Sequence, residues 1–126
     1  MTLENQLYKC DICENVAEIV HHGAGKLSCC GEEMRYIDEK PSEVGNAHYA
    51  IVERDGINIS VKFNHEMISQ HYIEFVEIIS KDEKYLKRKY FKINEPCEMK
   101  FKCDCFDGFK IKAYCNIHGA IVTEVK

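Results

Sequence analysis

Two close pairs of cysteines near the start of the chain constrain its fold more than any other feature. Cys10 and Cys13 form a Cys-x-x-Cys pair, and the adjacent Cys29 and Cys30 lie further on, just before Gly31. A Cys-x-x-Cys turn directs two sulfurs to one point, and a second close pair completes a tetrahedron. Four thiolates suit Zn²⁺ or a single iron, because soft ligands select such metals. A thioredoxin-like redox pair would account for only two of the four cysteines.

The rest of the sequence favours metal ligation over disulfide bonds. The 126 residues contain 8 cysteines, and residues 1–9 lack the apolar stretch of a secretory signal, so a cytoplasmic location is expected. Clustered cysteines in a cytoplasmic chain bind metal more often than they pair with one another. No stretch reaches the roughly 18 apolar residues of a membrane span. The formal net charge of −4 lacks the basic excess of a nucleic-acid binder. We therefore expect neither a membrane nor a nucleic acid as partner.

The composition divides the chain into a short and a longer segment. Residues 38–45 are polar, contain one of the 2 prolines and end in glycine, which is typical of a linker. Residues 1–37 fall below the roughly 40 residues for which an apolar core usually suffices. A covalent or metallic cross-link must therefore hold that segment together. We predict a small metal domain over 1–37 and a second domain over 46–126.

The second segment has the patterns of short β-strands. Residues 57–63 alternate strictly between apolar and polar side chains, and Asp55-Gly56 predicts a hairpin that pairs Val52 with Ile59. A second hairpin is predicted between 99–105 and 109–115, with Cys103 opposite Ile111. Further candidate strands lie at roughly 71–79, 85–93 and 120–125. Residues 67–79 also fit a helix, but their aromatic and β-branched side chains favour a strand. Strands joined by turn signals predict an antiparallel β-sandwich.

Four histidines and one cysteine form a second candidate site. They are His48, His65, His71, His118 and Cys115. Each histidine alone would be interpreted as a surface or a satisfied core residue. Because all of them lie at the predicted ends of strands, they can converge at one rim of a sandwich. His21 and His22, in the loop between the two cysteine pairs, are interpreted as solvated residues.

The order of these motifs is informative over essentially the whole chain. It runs Cys10-Asp-Ile-Cys13, Cys29-Cys30-Gly31, His65-Glu-Met67, His71-Tyr-Ile73 and Tyr114-Cys115-Asn116-Ile117-His118-Gly119. The sequence resembles desulfoferrodoxin, the two-iron superoxide reductase. The resemblance implies a mainly β protein: a small rubredoxin/desulforedoxin-like metal domain followed by an immunoglobulin-like antiparallel β-sandwich.

The resemblance also implies the roles of the nine candidate ligands. The four N-terminal cysteines would hold a rubredoxin-like iron, with zinc as a possible substitute. The four histidines named above would lie in the equatorial plane of a second iron, with Cys115 as the axial ligand and the sixth position open to superoxide. The implied activity is detoxification in oxidative stress: one-electron reduction of superoxide to hydrogen peroxide, with re-reduction by an electron donor such as rubredoxin. A homodimer is expected.

The sequence departs from the family at several positions. Asn46-Ala47 stand where Glu-Lys is usual, so the family's resting carboxylate ligand and its superoxide-attracting lysine cannot be assigned here. Glu66 replaces the proline of His-Pro-Met, and Glu14 replaces a glycine. Phe75 is the best substitute for one of the family's tryptophans. These changes bear on the rate and on the sixth ligand more than on the metal site itself.

Some features belong to neither site. Cys97, Cys103 and Cys105 are interpreted as small apolar residues, because Cys103 and Cys105 alternate in phase with Phe101.

A basic run comprises Lys84, Lys87, Arg88, Lys89 and Lys92. It fits either a docking surface for an acidic donor or a solvated strand edge, and we favour the edge.

Two other functions remain compatible with the sequence. The chain would be a pure electron carrier if the second site were degenerate, as the loss of Glu-Lys suggests. It would be a zinc-stabilised binding protein if neither site held iron.

Overall fold

The computed structural model describes residues 1–39, 50–104 and 107–125. Its chain forms two compact units, Met1–Asp38 and Glu39–Lys126. The described residues form strands and turns without a helix, and none of them offers a helix long and apolar enough to cross a membrane. Several sequence predictions lie outside the described residues: those on His48, Asn46, Ala47, Cys105 and residues 40–45 of the predicted linker.

The first unit is built from very short strands. They are β1 (Leu7–Lys9), β2 (Val16–Glu18), β3 (Ser28–Cys29), β4 (Glu32–Glu33) and β5 (Arg35–Tyr36); the next strand, β6 (Asp38–Glu39), spans the boundary between the two units. One sheet has the order β2-β1-β5, and β3 pairs with β4. Apart from Cys10, its buried apolar side chains are Leu7, Ile19, Met34 and Ile37. So small a core cannot stabilise a unit of this size alone, which agrees with the expected cross-link.

The second unit is a two-sheet sandwich. Its strands are β7 (Ile51–Asp55), β8 (Asn58–Lys62), β9 (Ile73–Ser80), β10 (Leu86–Tyr90), β11 (Glu98–Lys102), β12 (Phe109–Cys115) and β13 (Gly119–Val125). One sheet has the order β10-β9-β12-β13-β6 and the other β11-β8-β7. Val61 and Met99 of the smaller sheet share one buried cluster with Val76 and Ile111 of the larger. The predicted all-β, antiparallel fold is confirmed.

The first predicted hairpin forms, but with its turn moved. The turn residues are Gly56 and Ile57, so Val52 pairs with Val61 and not with Ile59. Gly56 has a φ of +63°, as a type II′ turn requires at its first central position. The predicted turn would have placed Asp55 in that unfavourable region. Because the register moves by two residues, each side chain keeps its face of the sheet.

The second predicted hairpin is wrong. β11 pairs with β8, setting Met99 opposite Val61, whereas β12 pairs with β9 and β13. The chain after β11 therefore crosses to the other sheet, and Cys103 does not face Ile111 across a ladder. The two strands still meet in the core, because the rings of Phe101 and Phe109 pack edge to face at 5.9 Å.

The extra cysteines differ from one another. Cys97 is buried in the core, as predicted. Cys103 is half-buried and packs against the same core, which agrees in part with its prediction as a small apolar residue, but it also takes part in a disulfide. The alternation of apolar side chains indicated which face it lies on but carried no information on its oxidation state.

The basic run lies partly on the edge strand β10, as the topology requires. Lys87 and Lys89 are exposed. Arg88 is not simply solvated, because its guanidinium donates to one oxygen of the buried Glu77 at 2.8 and 2.7 Å. Phe75, two residues before Glu77 on β9, is buried and stacks on Tyr114 at 5.2 Å.

Candidate metal centres

The four N-terminal cysteines lie on two tight turns of the first unit. The turn after β1 is closed by bonds from Cys10 N to Asn15 O and from Glu14 N to Cys10 O, both 2.9 Å. The turn between β3 and β4 consists of Cys30 and Gly31, whose φ values are +54° and +77°. Positive φ at both central residues is the type I′ pattern that joins paired strands. The adjacent cysteine pair is therefore part of a hairpin turn.

The spacing of the sulfurs fits one metal ion. Cys13 Sγ lies 3.5 Å from Cys29 Sγ, and Cys29 Sγ lies 3.8 Å from Cys30 Sγ. All four sulfurs lie within 4.8 Å of one another. A tetrahedron with metal–sulfur bonds of 2.3 Å has edges of about 3.8 Å. The four predicted cysteines thus form one donor set of the right size for zinc or iron.

Their pKa values show why this cluster requires a cation. The main-chain N–H of Cys13 lowers the pKa of Cys10 to about 7. The neighbouring sulfur of Cys13 raises the pKa of Cys30 to about 12, and it also raises that of Cys29. Several thiolates this close together repel one another, so protons stay on some of them until a metal ion replaces those protons.

The second candidate site forms where three segments of the sandwich meet. Cys115 ends β12, His118 lies in the turn before β13, and His65 follows β8. His71 enters from a tight turn in which residues 68 and 71 exchange main-chain hydrogen bonds of 3.1 Å. Strand ends therefore converge at one rim, as the sequence predicted. His48 lies outside the described residues.

The donor atoms of the described ligands surround the cysteine sulfur. Cys115 Sγ lies 3.6 Å from His65 Nε2 and 3.5 Å from His118 Nδ1. The ring centroids of His65 and His71 are 4.3 Å apart, and those of His71 and His118 are 5.1 Å apart. Metal bonds of 2.3 Å to sulfur and 2.1 Å to nitrogen place such donors about 3.1–3.6 Å apart. His65, His71 and Cys115 thus form a second donor set whose atoms lie within 4.8 Å of one another, and His118 Nδ1 adjoins its sulfur.

Hydrogen bonds select the nitrogen that each of two rings presents. Nδ1 of His65 donates to the main-chain oxygen of Glu66 at 2.6 Å, since a carbonyl can only accept. Nδ1 of His71 contacts the Glu66 carboxylate, also at 2.6 Å. Both rings therefore keep Nε2 for the metal, whereas His118 presents Nδ1 to the sulfur.

Burial adjusts the charges at this site. Burial lowers the pKa of His65, which keeps its imidazole neutral and able to bind a metal. Burial also raises the pKa of Cys115, an effect that the main-chain N–H groups of His118 and Ile117 oppose. Cys115 has no exposed surface, whereas His118 is exposed. The sulfur therefore lies at the floor of the site, and His118 lies on the side that is exposed to solvent.

Asn116 is a structural residue of the site that sequence analysis did not single out. Its side-chain oxygen accepts from Tyr72 N at 2.9 Å, and its amide donates to Gln70 O at 3.2 Å. These bonds join the turn after Cys115 to the loop that carries His71. The signal was available, because Asn116 lies between Cys115 and His118 in the quoted motif.

The first unit also contains two histidines that belong to neither of these donor sets. His21 and His22 are exposed, as predicted. His22 Nδ1 contacts a Glu4 carboxylate oxygen at 2.6 Å. The two histidines and Glu4 form a third group whose donor atoms lie within 4.8 Å of one another.

Comparison with known proteins agrees with this arrangement. Residues 2–37 match the family described as "Desulfoferrodoxin, N-terminal domain", and residues 40–123 match the family "Desulfoferrodoxin". A "Desulfoferrodoxin homolog" from Archaeoglobus fulgidus is 39% identical over 123 residues, covering 94% of this chain and 96% of the relative. A second such homolog, from Methanothermobacter thermautotrophicus, is 35% identical and covers 94% and 98%.

A solved structure shows the same fold. The crystal structure of the superoxide reductase from Treponema pallidum superposes with a TM-score of 0.69 at 19% identity, covering 98% of this chain and 99% of that one. The two family matches together span most of the sequence, and they occur in the same order as the two donor sets. The chain belongs to the desulfoferrodoxin family.

Proposed function

We propose that this protein is a superoxide reductase that converts superoxide to hydrogen peroxide at an iron bound by His65, His71, His118 and Cys115, with His48 as a further ligand. The observation that carries the proposal is the convergence of three imidazoles on one buried thiol at the open rim of a sandwich. In the proposed scheme the four N-terminal cysteines hold a second iron. Family membership and fold support this assignment.

The donor set suits a ferrous ion that must give up one electron. When bound, the iron would supply the electron that, with two protons, turns superoxide into hydrogen peroxide. The imidazoles are neutral and the thiolate carries one negative charge, so the site with Fe²⁺ would have a formal charge of about +1. This charge attracts an anionic substrate. The thiolate of Cys115 donates electron density and favours oxidation of the metal. An external one-electron donor, such as a rubredoxin, must then restore the ferrous state.

The surrounding residues prepare the site for an anion. Burial of Cys115 keeps water from the sulfur, and the main-chain N–H groups of Ile117 and His118 moderate the charge that the thiolate carries. His118 lies on the exposed side, where a small diatomic substrate would enter. Burial keeps His65 neutral, and its bond to Glu66 O orients the ring. The chain thus supplies orientation, charge and an approach from solvent.

Metal analysis with visible spectroscopy and pulse radiolysis tests the proposal. The purified protein should contain about two irons per chain, by the count of donor sets, and should consume superoxide with formation of peroxide in stoichiometric yield. Cys115→Ser should lose this reaction, whereas Cys13→Ser, which alters only the four-cysteine set, should retain it with an artificial donor. Zinc alone at both sites, or iron without peroxide formation, would exclude a superoxide reductase.

A further inference from the structure

Glu66 contacts two ligands of the second site through different atoms. Its main-chain oxygen lies 2.6 Å from His65 Nδ1, and its carboxylate oxygen Oε1 lies 2.6 Å from His71 Nδ1. The tight turn between Ile68 and His71 brings the ring back to Glu66, five residues earlier. One residue therefore orients two imidazoles.

We propose that the Glu66 carboxylate is a positioning residue of the metal centre: it directs His71 Nε2 toward the metal and strengthens that nitrogen as a donor. The inference rests on the proposed function only in assuming that His71 binds a metal. A carboxylate that accepts from the far nitrogen of a ligating imidazole sets its tautomer and increases its basicity.

The two imidazoles differ in what holds them. His65 donates to a neutral carbonyl, whereas His71 donates to an anion, and a charge-assisted hydrogen bond is roughly twice as strong as a neutral one. The added electron density should favour the ferric over the ferrous ion, because the higher charge gains more from a stronger donor. Glu66 should therefore lower the reduction potential of the site and increase its affinity for divalent metals.

Exposure limits the size of this effect. The Glu66 side chain is 54% exposed and that of His71 is 19% exposed, so water and salt screen part of the interaction. The bond orients the ring even so, because its geometry is set by the short turn. Loss of such outer partners typically costs about 10–100-fold in metal affinity, and we expect a value near the lower end.

Cobalt titration of the full-length chain distinguishes the effect of the orientation of the His71 ring from the effect of the negative charge of Glu66. Glu66→Ala removes both, Glu66→Gln keeps a hydrogen-bond acceptor without the charge, and Glu53→Gln, on exposed β7, is the matched control. We expect Glu66→Ala to lose about tenfold in Co²⁺ affinity at the second site, with Glu66→Gln between it and the wild type. The tetrathiolate cobalt bands of the first site serve as an internal reference that should not change.

The reduction potential of the iron-loaded protein gives the second measurement. Glu66→Gln should raise the potential of the second site, and Glu53→Gln should leave it unaltered. Equal cobalt affinities and equal potentials in all four proteins would overturn the proposal even if superoxide reduction is normal. Conversely, shifted affinities and potentials in a protein that does not reduce superoxide would support the role of Glu66 and reject the proposed function.

Discussion

Asn116 forms two hydrogen bonds with the main chain of Tyr72. Its side-chain oxygen accepts from Tyr72 N at 2.9 Å, and its main-chain N–H donates to Tyr72 O at 3.1 Å. The pair spans 44 positions of sequence. It fastens the residue after Cys115 to the residue after His71. The distance between Cys115 and His71 therefore depends on the hydrogen bonds of Asn116.

Replacing Asn116 with Ala should loosen the second site. The substitution deletes two side-chain hydrogen bonds and leaves Tyr72 N without its acceptor, which should reduce the free energy of unfolding by about 1–3 kcal/mol. Denaturant unfolding of the metal-loaded protein measures this change. Metal affinity should fall at the second site but not at the four cysteines. The exposed Asn58→Ala on β8 is the control, and equal losses in the two variants would contradict a specific role for Asn116.

Cys115→Ser tests whether the thiolate of Cys115 binds the metal. A serine oxygen donates far less electron density to iron, so the thiolate-to-iron charge-transfer band of the oxidised second site should disappear and superoxide reduction should fall with it. Visible spectroscopy and pulse radiolysis measure the two effects. Cys97→Ala is the control, because Cys97 is buried in the core and lies outside both donor sets. An unchanged band in Cys115→Ser would show that another group binds the metal.

The local motifs of both sites were predictable from sequence, whereas the contacts around them were not. Cys10 and Cys13 must be close because the chain between them is short. Histidines at the ends of strands are close because those ends meet at one rim of the sandwich. The bond between Glu66 and His71 depends on a tight turn whose residues, Ser69 and Gln70, carry no strong turn signal. The sequence thus identified residues that converge in the structure but not the groups that orient them.

Strand pairing was also beyond the sequence pattern. The alternation in β11 has a period of two, which fits pairing with β8 as well as with β12. A short loop containing Gly108 favoured the local hairpin. The structure instead places β11 and β12 in different sheets, since this arrangement lets both strands bury apolar side chains in one core. The alternation of apolar and polar residues alone does not reveal whether a local turn or burial in a shared core decides which strands pair.

Metal binding at the four cysteines should release a number of protons that depends on pH. Cys10, with a pKa lowered to about 7, carries a proton below pH 7 and has lost it above. Cys30, with a pKa raised to about 12, still carries its proton at pH 8. Affinity should therefore rise with pH throughout, but its slope should fall by about one proton as the pH passes 7.

Calorimetry in buffers of different ionisation enthalpy measures the protons released by Zn²⁺ at pH 6 and pH 8. The linkage has a definite sign. Because the folded pKa of Cys10 is depressed, its thiolate contributes stability to the metal-free fold that is present at high pH and is lost as the pH falls through about 7. A proton count that does not change between the two pH values would contradict the low pKa of Cys10.

Glu14→Gly should stabilise the first unit. Glu14 has a φ of +68°, a region that costs a residue with a Cβ about 1–2 kcal/mol, whereas glycine adopts it freely but loses about 0.5–1 kcal/mol of chain entropy. The expected net gain is about 0.5–1 kcal/mol. Slower loss of metal to a chelator would measure it. Glu14→Ala, which keeps the strain, should show no such gain; if it gains as much as glycine, charge rather than backbone strain explains the effect.

The second unit should fold and bind metal without the first. The 13 buried residues of its core cluster all lie between Ile59 and Ala113, and the described residues of the second candidate site all lie within the same unit. A chain of residues 38–126, which keeps β6 intact, should therefore unfold cooperatively, with a free energy of unfolding of roughly 4–13 kcal/mol for a domain of this size.

The chain of residues 38–126 should bind one iron with the charge-transfer band of Cys115, and the same chain carrying Cys115→Ser should fold but lack the band. Residues 1–38, with their small core, should be much more stable with Zn²⁺ or iron than without it. Circular dichroism during denaturant unfolding, together with metal analysis, measures both chains. Absence of a cooperative transition in residues 38–126 with metal present would show that the two units depend on each other for folding.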